Sequence, residues 1–138
     1  MPTVYVTRKA HFNAAHRLHN PDRSDAWNEA TFGKCNSPHW HGHNYELDVT
    51  VAGEPDPDTG FVCDLAELKR VVNARVVDAL DHRNLNLDVP FLAGKLTSTE
   101  TLAVAVWEQL ADHIPGAGRL FEIAIRETPN NSVTYRGE

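Results

Sequence analysis

Cysteine is nearly absent from this 138-residue chain: there are two, Cys35 and Cys63. Two thiols can pair once at most, which excludes a scaffold stapled by disulfides and leaves stability to a hydrophobic core. Basic charge is also scarce. Thirteen Lys and Arg against nineteen Asp and Glu give a formal net charge of −6, the wrong sign for a surface that grips a nucleic-acid backbone. An acidic chain can still hold a phosphorylated small molecule, given a local basic pocket. The opening residues, MPTVYVTRKAHF, carry no long apolar run behind a basic head. Neither a secretion signal nor a membrane span is expected there, and the expected location is the cytoplasm. Internal repeats and linker-like stretches are missing too, so residues 1–138 are expected to form one domain.

What is present is an ordinary globular composition, 41% hydrophobic and 23% charged, with enough apolar residues for a core. Val4, Val6, Ala10, Phe12, Ala14 and His16 alternate along Thr3 to His16, the period of a half-buried strand. A polar stretch from Arg17 to Pro38 follows and reads as a long loop, of a length that in compact domains tends to be functional. His41 to Val51 alternates again, with His41, His43, Tyr45, Leu47, Val49 and Val51 on one face.

Asp64-Leu-Ala-Glu67 reads as a capping box opening a helix, with Leu65, Leu68, Val72, Val76 and Leu80 as its apolar stripe. Thr97-Ser-Thr-Glu100 opens a second helix, with Leu102, Val106, Leu110 and Ile114 buried and Pro115-Gly116 as its stop. Leu120 to Glu127 alternates with Phe121, Ile123, Ile125 and Glu127 on one face, and Ser132 to Arg136 is a short last strand. The expected order is ββααββ: an α+β domain with an antiparallel sheet and two helices on one face.

Eight histidines is a high count for this length. In His41-Gly-His43, the rings at i and i+2 of a strand point the same way and can reach one ion. If the first two strands form a hairpin, His16 at the end of the first lies beside them. Three neutral nitrogen ligands with an open fourth position are the donor set of a catalytic zinc; a structural zinc more often uses cysteines. His11, His19, His39 and His113 read as ordinary surface or core residues.

Cys35 lies six residues before His41. A nearby cation and Lys34 would favour the thiolate, making it a usable base; a fourth metal ligand or an idle thiol are equally open readings. Cys63 reads as a small buried hydrophobe. Asp81-His82 is a pair able to relay a proton, though such neighbours are common by chance. Glu127 puts a carboxylate on an apolar face, which is costly unless it is paired or bound to something. It is either solvated at the strand end, paired with an Arg, or an anchor for a planar amidine-like edge. Glu100 has a sufficient role as a cap partner.

These segments together closely resemble the 6-pyruvoyl-tetrahydropterin synthase family. The resemblance is carried by Phe12-Asn-Ala-Ala-His-Arg-Leu18, Phe32-Gly-Lys-Cys-Asn-Ser-Pro-His-Trp-His-Gly-His-Asn-Tyr45, Leu80-Asp-His-Arg-Asn-Leu85, Thr97-Ser-Thr-Glu100 and Glu127-Thr-Pro-Asn-Asn131. It implies the tunnelling fold, a four-stranded antiparallel sheet with two helices, assembled as a homohexamer of two trimers with sites between subunits. It implies Zn²⁺ on His16, His41 and His43, Cys35 as the base, and Asp81 with His82 as a relay pair from a neighbouring subunit. It also implies Glu127 as the pterin anchor beside Ser98, Thr99 and Glu100.

The implied reaction converts 7,8-dihydroneopterin triphosphate to 6-pyruvoyl-tetrahydropterin with loss of triphosphate. The five-residue gap between Cys35 and His41 resembles the biopterin-pathway enzymes. The alternatives are a 6-carboxy-tetrahydropterin synthase of queuosine biosynthesis, acting on the same substrate, and a non-catalytic pterin-binding protein. His39-Trp40 departs from the animal pattern, and Arg17, Lys34 and Lys95 are candidates for the triphosphate by position.

Overall fold

The computed structural model describes residues 2–138. Strands β1 (Val4–His16) and β2 (His41–Gly53) pair antiparallel along their whole length, from Val4 opposite Gly53 to His16 opposite His41. Their alternation fixes the register: Phe12, Ala14, Tyr45, Leu47, Val49 and Val51 are all buried, and a slip of one residue would turn every one of them to water. The other face is polar, with Thr7 bonded to Thr50 across the strands at 2.8 Å.

Three further strands complete the sheet. The first, β3 (Arg83–Asn84), is two residues long and runs parallel to β1 along its outer edge. Then β4 (Arg119–Thr128) joins β2 and β5 (Asn131–Tyr135) joins β4, both antiparallel. The order is β3-β1-β2-β4-β5. The four expected strands are therefore joined by a fifth that makes the sheet mixed. Two residues are too few to leave a period-2 signature.

The alternation expected of β4 is broken by a bulge. Thr50 faces Glu122 and Val51 faces Leu120, so Phe121 has no partner and the side chains before it switch faces. Leu120 enters the core in its place. Phe121 instead packs edge-on against Tyr5, with ring centroids 4.6 Å apart.

Helices cover the apolar face. The first expected helix is three pieces: α2 (Leu65–Val72) and α3 (Asp78–Leu80), joined by a π-helical segment, Asn73–Val77. Asp64 caps α2, its Oδ1 accepting the backbone N–H of Ala66 at 2.8 Å. Leu68, Val72, Val76 and Leu80 are fully inside, whereas Leu65 is 48% exposed; as the first residue of α2 it sits ahead of the turn that meets the sheet.

The later helix, α4 (Thr99–Leu110), is capped by Ser98, whose Oγ accepts the Thr101 N–H at 3.2 Å. The expected box is thus shifted by one residue and Glu100 has no reciprocal cap role. Thr97 is buried, and its hydroxyl donates to Asn86 Oδ1 at 3.0 Å. The helix ends at Leu110, before Pro115, while half-buried Ile114 still packs on the core.

The segment read as loop between β1 and β2 holds a further helix, α1 (Asp25–Phe32), and a 3-10 turn, Gly33–Asn36. Its one buried residue is Asn28, so no apolar stripe announces it. Asn28 Nδ2 donates to the carbonyls of Asn20, Arg23 and Ser24, and its Oδ1 accepts the Asn20 N–H at 2.7 Å. Asn28→Asp removes the donor and aims a carboxylate at three carbonyls. It is expected to destabilise the protein by about 2–3 kcal/mol, read as a lower melting temperature in a thermal CD scan.

Candidate metal centre

The hairpin register sets the three histidines together. His16 ends β1 directly opposite His41, and His43 follows on the same face of β2. Ring centroids are 4.5 Å apart for His16 and His41, 5.2 Å for His16 and His43, and 5.1 Å for His41 and His43. One donor atom from each ring lies within 4.8 Å of the other two. Gly42, between the two ligand-type residues of β2, has its backbone packed close: a Cβ there would come within 3.1 Å of the Ala14 carbonyl oxygen.

The protonation pattern suits a cation. His16 is buried, with Nδ1 2.7 Å from the Thr97 carbonyl oxygen. A carbonyl only accepts, so Nδ1 carries the proton and Nε2 presents its lone pair to the cluster. That Nε2 and both nitrogens of His41 are buried without a hydrogen-bond partner, a costly state for polar atoms. Glu127 Oε1 lies 3.3 Å from His43 Nε2 and 3.6 Å from His16 Nε2. A carboxylate facing an unprotonated nitrogen is repelled unless a cation is shared between them. Three imidazoles, no thiolate and an adjacent carboxylate match the catalytic pattern of zinc.

Burial, followed by the nearby histidines, holds His16 below the usual imidazole range, and burial with His43 does the same to His41. Unfolding restores pKa values near 6.5, so below that pH the unfolded chain binds more protons than the folded one. The metal-free protein is therefore expected to keep its full stability above about pH 6.5 and to lose it progressively below. Urea midpoints measured from pH 8 to pH 5 in the presence of a chelator check the sign.

Tyr45, two residues beyond His43, was not singled out by the sequence, although it shares the face of the H-x-H pair. It is fully buried and stacks on Phe12 at 5.0 Å, with the rings of His43 and His16 edge-on at 5.5 and 6.2 Å. Burial, then the charge of Glu127, push its phenol well above the ordinary range. It stays a neutral donor, and its hydroxyl has no partner.

Glu127 also lines a cleft of about 240 Å³ with Thr99, Glu100, Asn131 and Val133. Thr99 is buried and its hydroxyl is unpartnered. Ser98, next to it, is occupied as the helix cap. The cleft is smaller than the 300 Å³ or more usual for small-molecule sites.

Cys35 is half-buried in the 3-10 turn and lies outside the metal-capable group of three histidines. Its turn is tied to the residues that follow His16. The Cys35 carbonyl accepts the Leu18 N–H at 2.8 Å, Arg17 Nε donates to the Asn36 carbonyl at 2.8 Å, and Asn36 Nδ2 donates to the Leu18 carbonyl at 2.8 Å. Arg17 is thus engaged, Lys95 pairs with Glu108 at 3.7 Å, and Lys34 is exposed beside the thiol. His11, His39 and His113 are exposed, and His19 Nδ1 meets Asn36 Nδ2 at 2.9 Å.

Asp81 and His82 lie at the turn from α3 into β3. Asp81 Oδ1 accepts the Asn13 N–H at 2.8 Å and Oδ2 accepts from His82 Nδ1 at 2.8 Å. The backbone bond first, and His82 second, hold the Asp81 carboxyl below its usual range. His82 has φ 59, left-handed backbone that histidine adopts more readily than most residues, and its N–H donates to the Asn13 carbonyl at 2.6 Å. The bond to Asp81 leaves Nε2 free, on a side chain that is 79% exposed. Among the described residues this pair bonds to Asn13 and to itself, and not to the histidine cluster.

A sheet with helices on one face, carrying an inward-facing cluster of three histidines able to hold a metal ion, defines an α+β protein of the tunnelling fold. A sequence profile described as 6-pyruvoyl tetrahydropterin synthase matches residues 5–138, and the chain belongs to that family. It is 47% identical over 134 residues to the 6-pyruvoyl tetrahydrobiopterin synthase of Poecilia reticulata, covering 97% of this chain and 90% of the relative. It is 46% identical over 133 residues to the protein of that description from Homo sapiens, covering 96% and 91%. The structure of 6-pyruvoyl tetrahydropterin synthase from Caenorhabditis elegans superposes with a TM-score of 0.94 at 44% identity, over 100% of this chain and 98% of that one. The family and the histidine cluster support a metal-dependent enzyme of this kind, and among the described residues no helix is long and apolar enough to cross a membrane.

Proposed function

We propose that the chain is a zinc-dependent 6-pyruvoyl-tetrahydropterin synthase, acting on 7,8-dihydroneopterin triphosphate and releasing triphosphate. One observation carries the reading: the buried, proton-free Nε2 of His16 converges with the unpartnered His41 and with His43 on one point. Zinc held by these three supplies Lewis acidity at the hydroxyls of the substrate side chain.

The chain's other residues supply binding and proton transfer. Cys35 removes a proton from a side-chain carbon, and the electron pair passes into the pterin ring by tautomerisation, so no redox cofactor is consumed. Asp81 keeps His82 in the Nδ1–H tautomer, leaving the exposed Nε2 to exchange a proton with a side-chain oxygen. Glu127 accepts two parallel hydrogen bonds from the amidine-like edge of the ring, with Thr99 and Glu100 lining the same cleft and Ser98 preceding them as the helix cap.

The distribution of these residues supports a shared site. The exposed His82 makes no hydrogen bond to the histidine cluster of its own chain, as expected where a neighbouring copy supplies the missing side. We propose a cytoplasmic homohexamer of two trimers, each chain acting as one catalytic domain, without nucleic-acid or membrane partners.

The test is to incubate zinc-loaded protein with 7,8-dihydroneopterin triphosphate and identify the products by mass. The pyruvoyl product with free triphosphate supports the proposal. Carboxy-tetrahydropterin with acetaldehyde would move the chain to queuosine chemistry, and binding without turnover would make it a pterin carrier.

A further inference from the structure

The chain has three tryptophans, and packing accounts for two of them. Trp107 lies on the core and meets Tyr135 edge-on at 5.5 Å. Trp27 meets Phe32 at 5.8 Å and lies under the Arg23 guanidinium at 4.5 Å. Trp40 is half-buried, yet among the described residues it has no aromatic or cationic partner and is not one of the side chains packed on the core.

Its backbone is also strained. Trp40 has φ 67, left-handed backbone that a bulky side chain occupies only under constraint. The other non-glycine residue in that region, His82, has its N–H bonded to Asn13 and its ring to Asp81. Trp40 donates its N–H to the Ser37 carbonyl at 3.2 Å, closing the turn Ser37-Pro38-His39-Trp40. That turn position favours glycine, so the turn supplies no reason for an indole. Strain kept where a smaller residue would remove it marks ligand clamps and other functional sites.

The residue stands at one end of the candidate site. Arg126 is opposite Glu46, which sets Glu127 near the Tyr45 end of the H-x-H pair, against His43 and His16 at 3.3 and 3.6 Å. Passing along β2 through His43 and His41 to Trp40 therefore leads away from Glu127. A ligand with its planar edge on Glu127 and its hydroxyls at the histidines reaches Trp40 with its far end.

We propose that Trp40 is a specificity-determining residue: its indole packs against the hydroxylated side chain of the pterin and selects substrates that carry that chain. An indole offers an apolar face and a single N–H donor, which suits a carbon chain bearing oxygens. This rests on the pterin reading above.

The test measures binding of 7,8-dihydroneopterin, and of 7,8-dihydropterin without the side chain, to zinc-loaded parent, Trp40→Asn and Trp40→Phe by calorimetry. Asparagine takes the left-handed conformation more readily than other side chains. Trp40→Asn is expected to bind dihydroneopterin about 10-fold more weakly, the scale of one lost apolar contact in a pocket. Its affinity for dihydropterin is expected to change less than about twofold, because the missing contact is to the side chain. Trp40→Phe is expected to stay within about threefold of the parent, because an aromatic face remains. Trp40→Asn is also expected to hold one zinc per chain and to melt no lower than the parent, since strain is relieved.

Equal dihydroneopterin affinity in Trp40→Asn and parent, an equal loss for both pterins, loss of zinc, or a lower melting temperature each overturns the proposal. A parent that binds neither pterin removes the pterin reading together with it. A parent that binds dihydroneopterin no better than Trp40→Asn does leaves that reading standing and removes this inference alone.

Discussion

Replacing Cys35 by alanine is expected to leave a folded protein that holds one zinc per chain and turns over roughly 10²–10⁴-fold more slowly, the usual contribution of a general base. The thiol sits in a 3-10 turn outside the histidine group, so its loss should spare both metal content and core. Substrate affinity is expected to change little, because Glu127 and the cleft are untouched. The second thiol provides an internal control. Cys63 is buried, and burial together with Asp64 pushes its thiol upward, so alkylation near pH 8 is expected to reach Cys35 first. Loss of turnover should follow modification of Cys35, tracked by peptide mass spectrometry. A Cys35→Ala protein with full activity would assign the proton transfer elsewhere.

The second large effect concerns the metal itself. His41→Ala removes one of three nitrogen donors while leaving the His16–Thr97 bond and the β1–β2 ladder intact. Shared among four ligands, a typical structural-zinc binding energy leaves about 3 kcal/mol per ligand. Zinc affinity should therefore fall about 100-fold or more, and extensive dialysis should yield protein with little metal and no measurable turnover. The metal-free fold is expected to persist, because His41 leaves two buried nitrogens unsatisfied and alanine would relieve both. Elemental analysis beside a melting curve separates the two effects. Retention of one tightly held zinc would show that the metal sits elsewhere.

The hairpin and its histidines were legible because strand periodicity is short and their positions obey it without interruption from Phe12 to His16 and from His41 to Val51. Both long helices were legible from their stripes and caps, although the second cap moved from Thr97 to Ser98. What escaped the sequence is held by polar or local geometry. The α1 helix is organised around the amide of Asn28, a residue that otherwise signals turns. The bulge at Phe121 is one extra residue, invisible to an alternation that resumes after it. Tyr45 read as core, and only its unpartnered hydroxyl distinguishes it from phenylalanine. Asp81 and His82 were visible as neighbours, but that the dyad faces outward became clear only from the turn at Asn13.

The amide-knit segment between β1 and β2 has one more consequence. The three clustered histidines stand on a pair of 13-residue strands at the centre of the sheet, whereas Cys35 rides on a short turn secured by Arg17, Leu18 and Asn36. Segments with few apolar contacts open at lower free energy than the strands they connect. On warming, the turn that carries Cys35 should detach while the histidine-bearing hairpin is still intact. With Cys35 as the proposed base, activity would then be lost by partial opening while the histidine cluster and the sheet persist, and it would return on cooling.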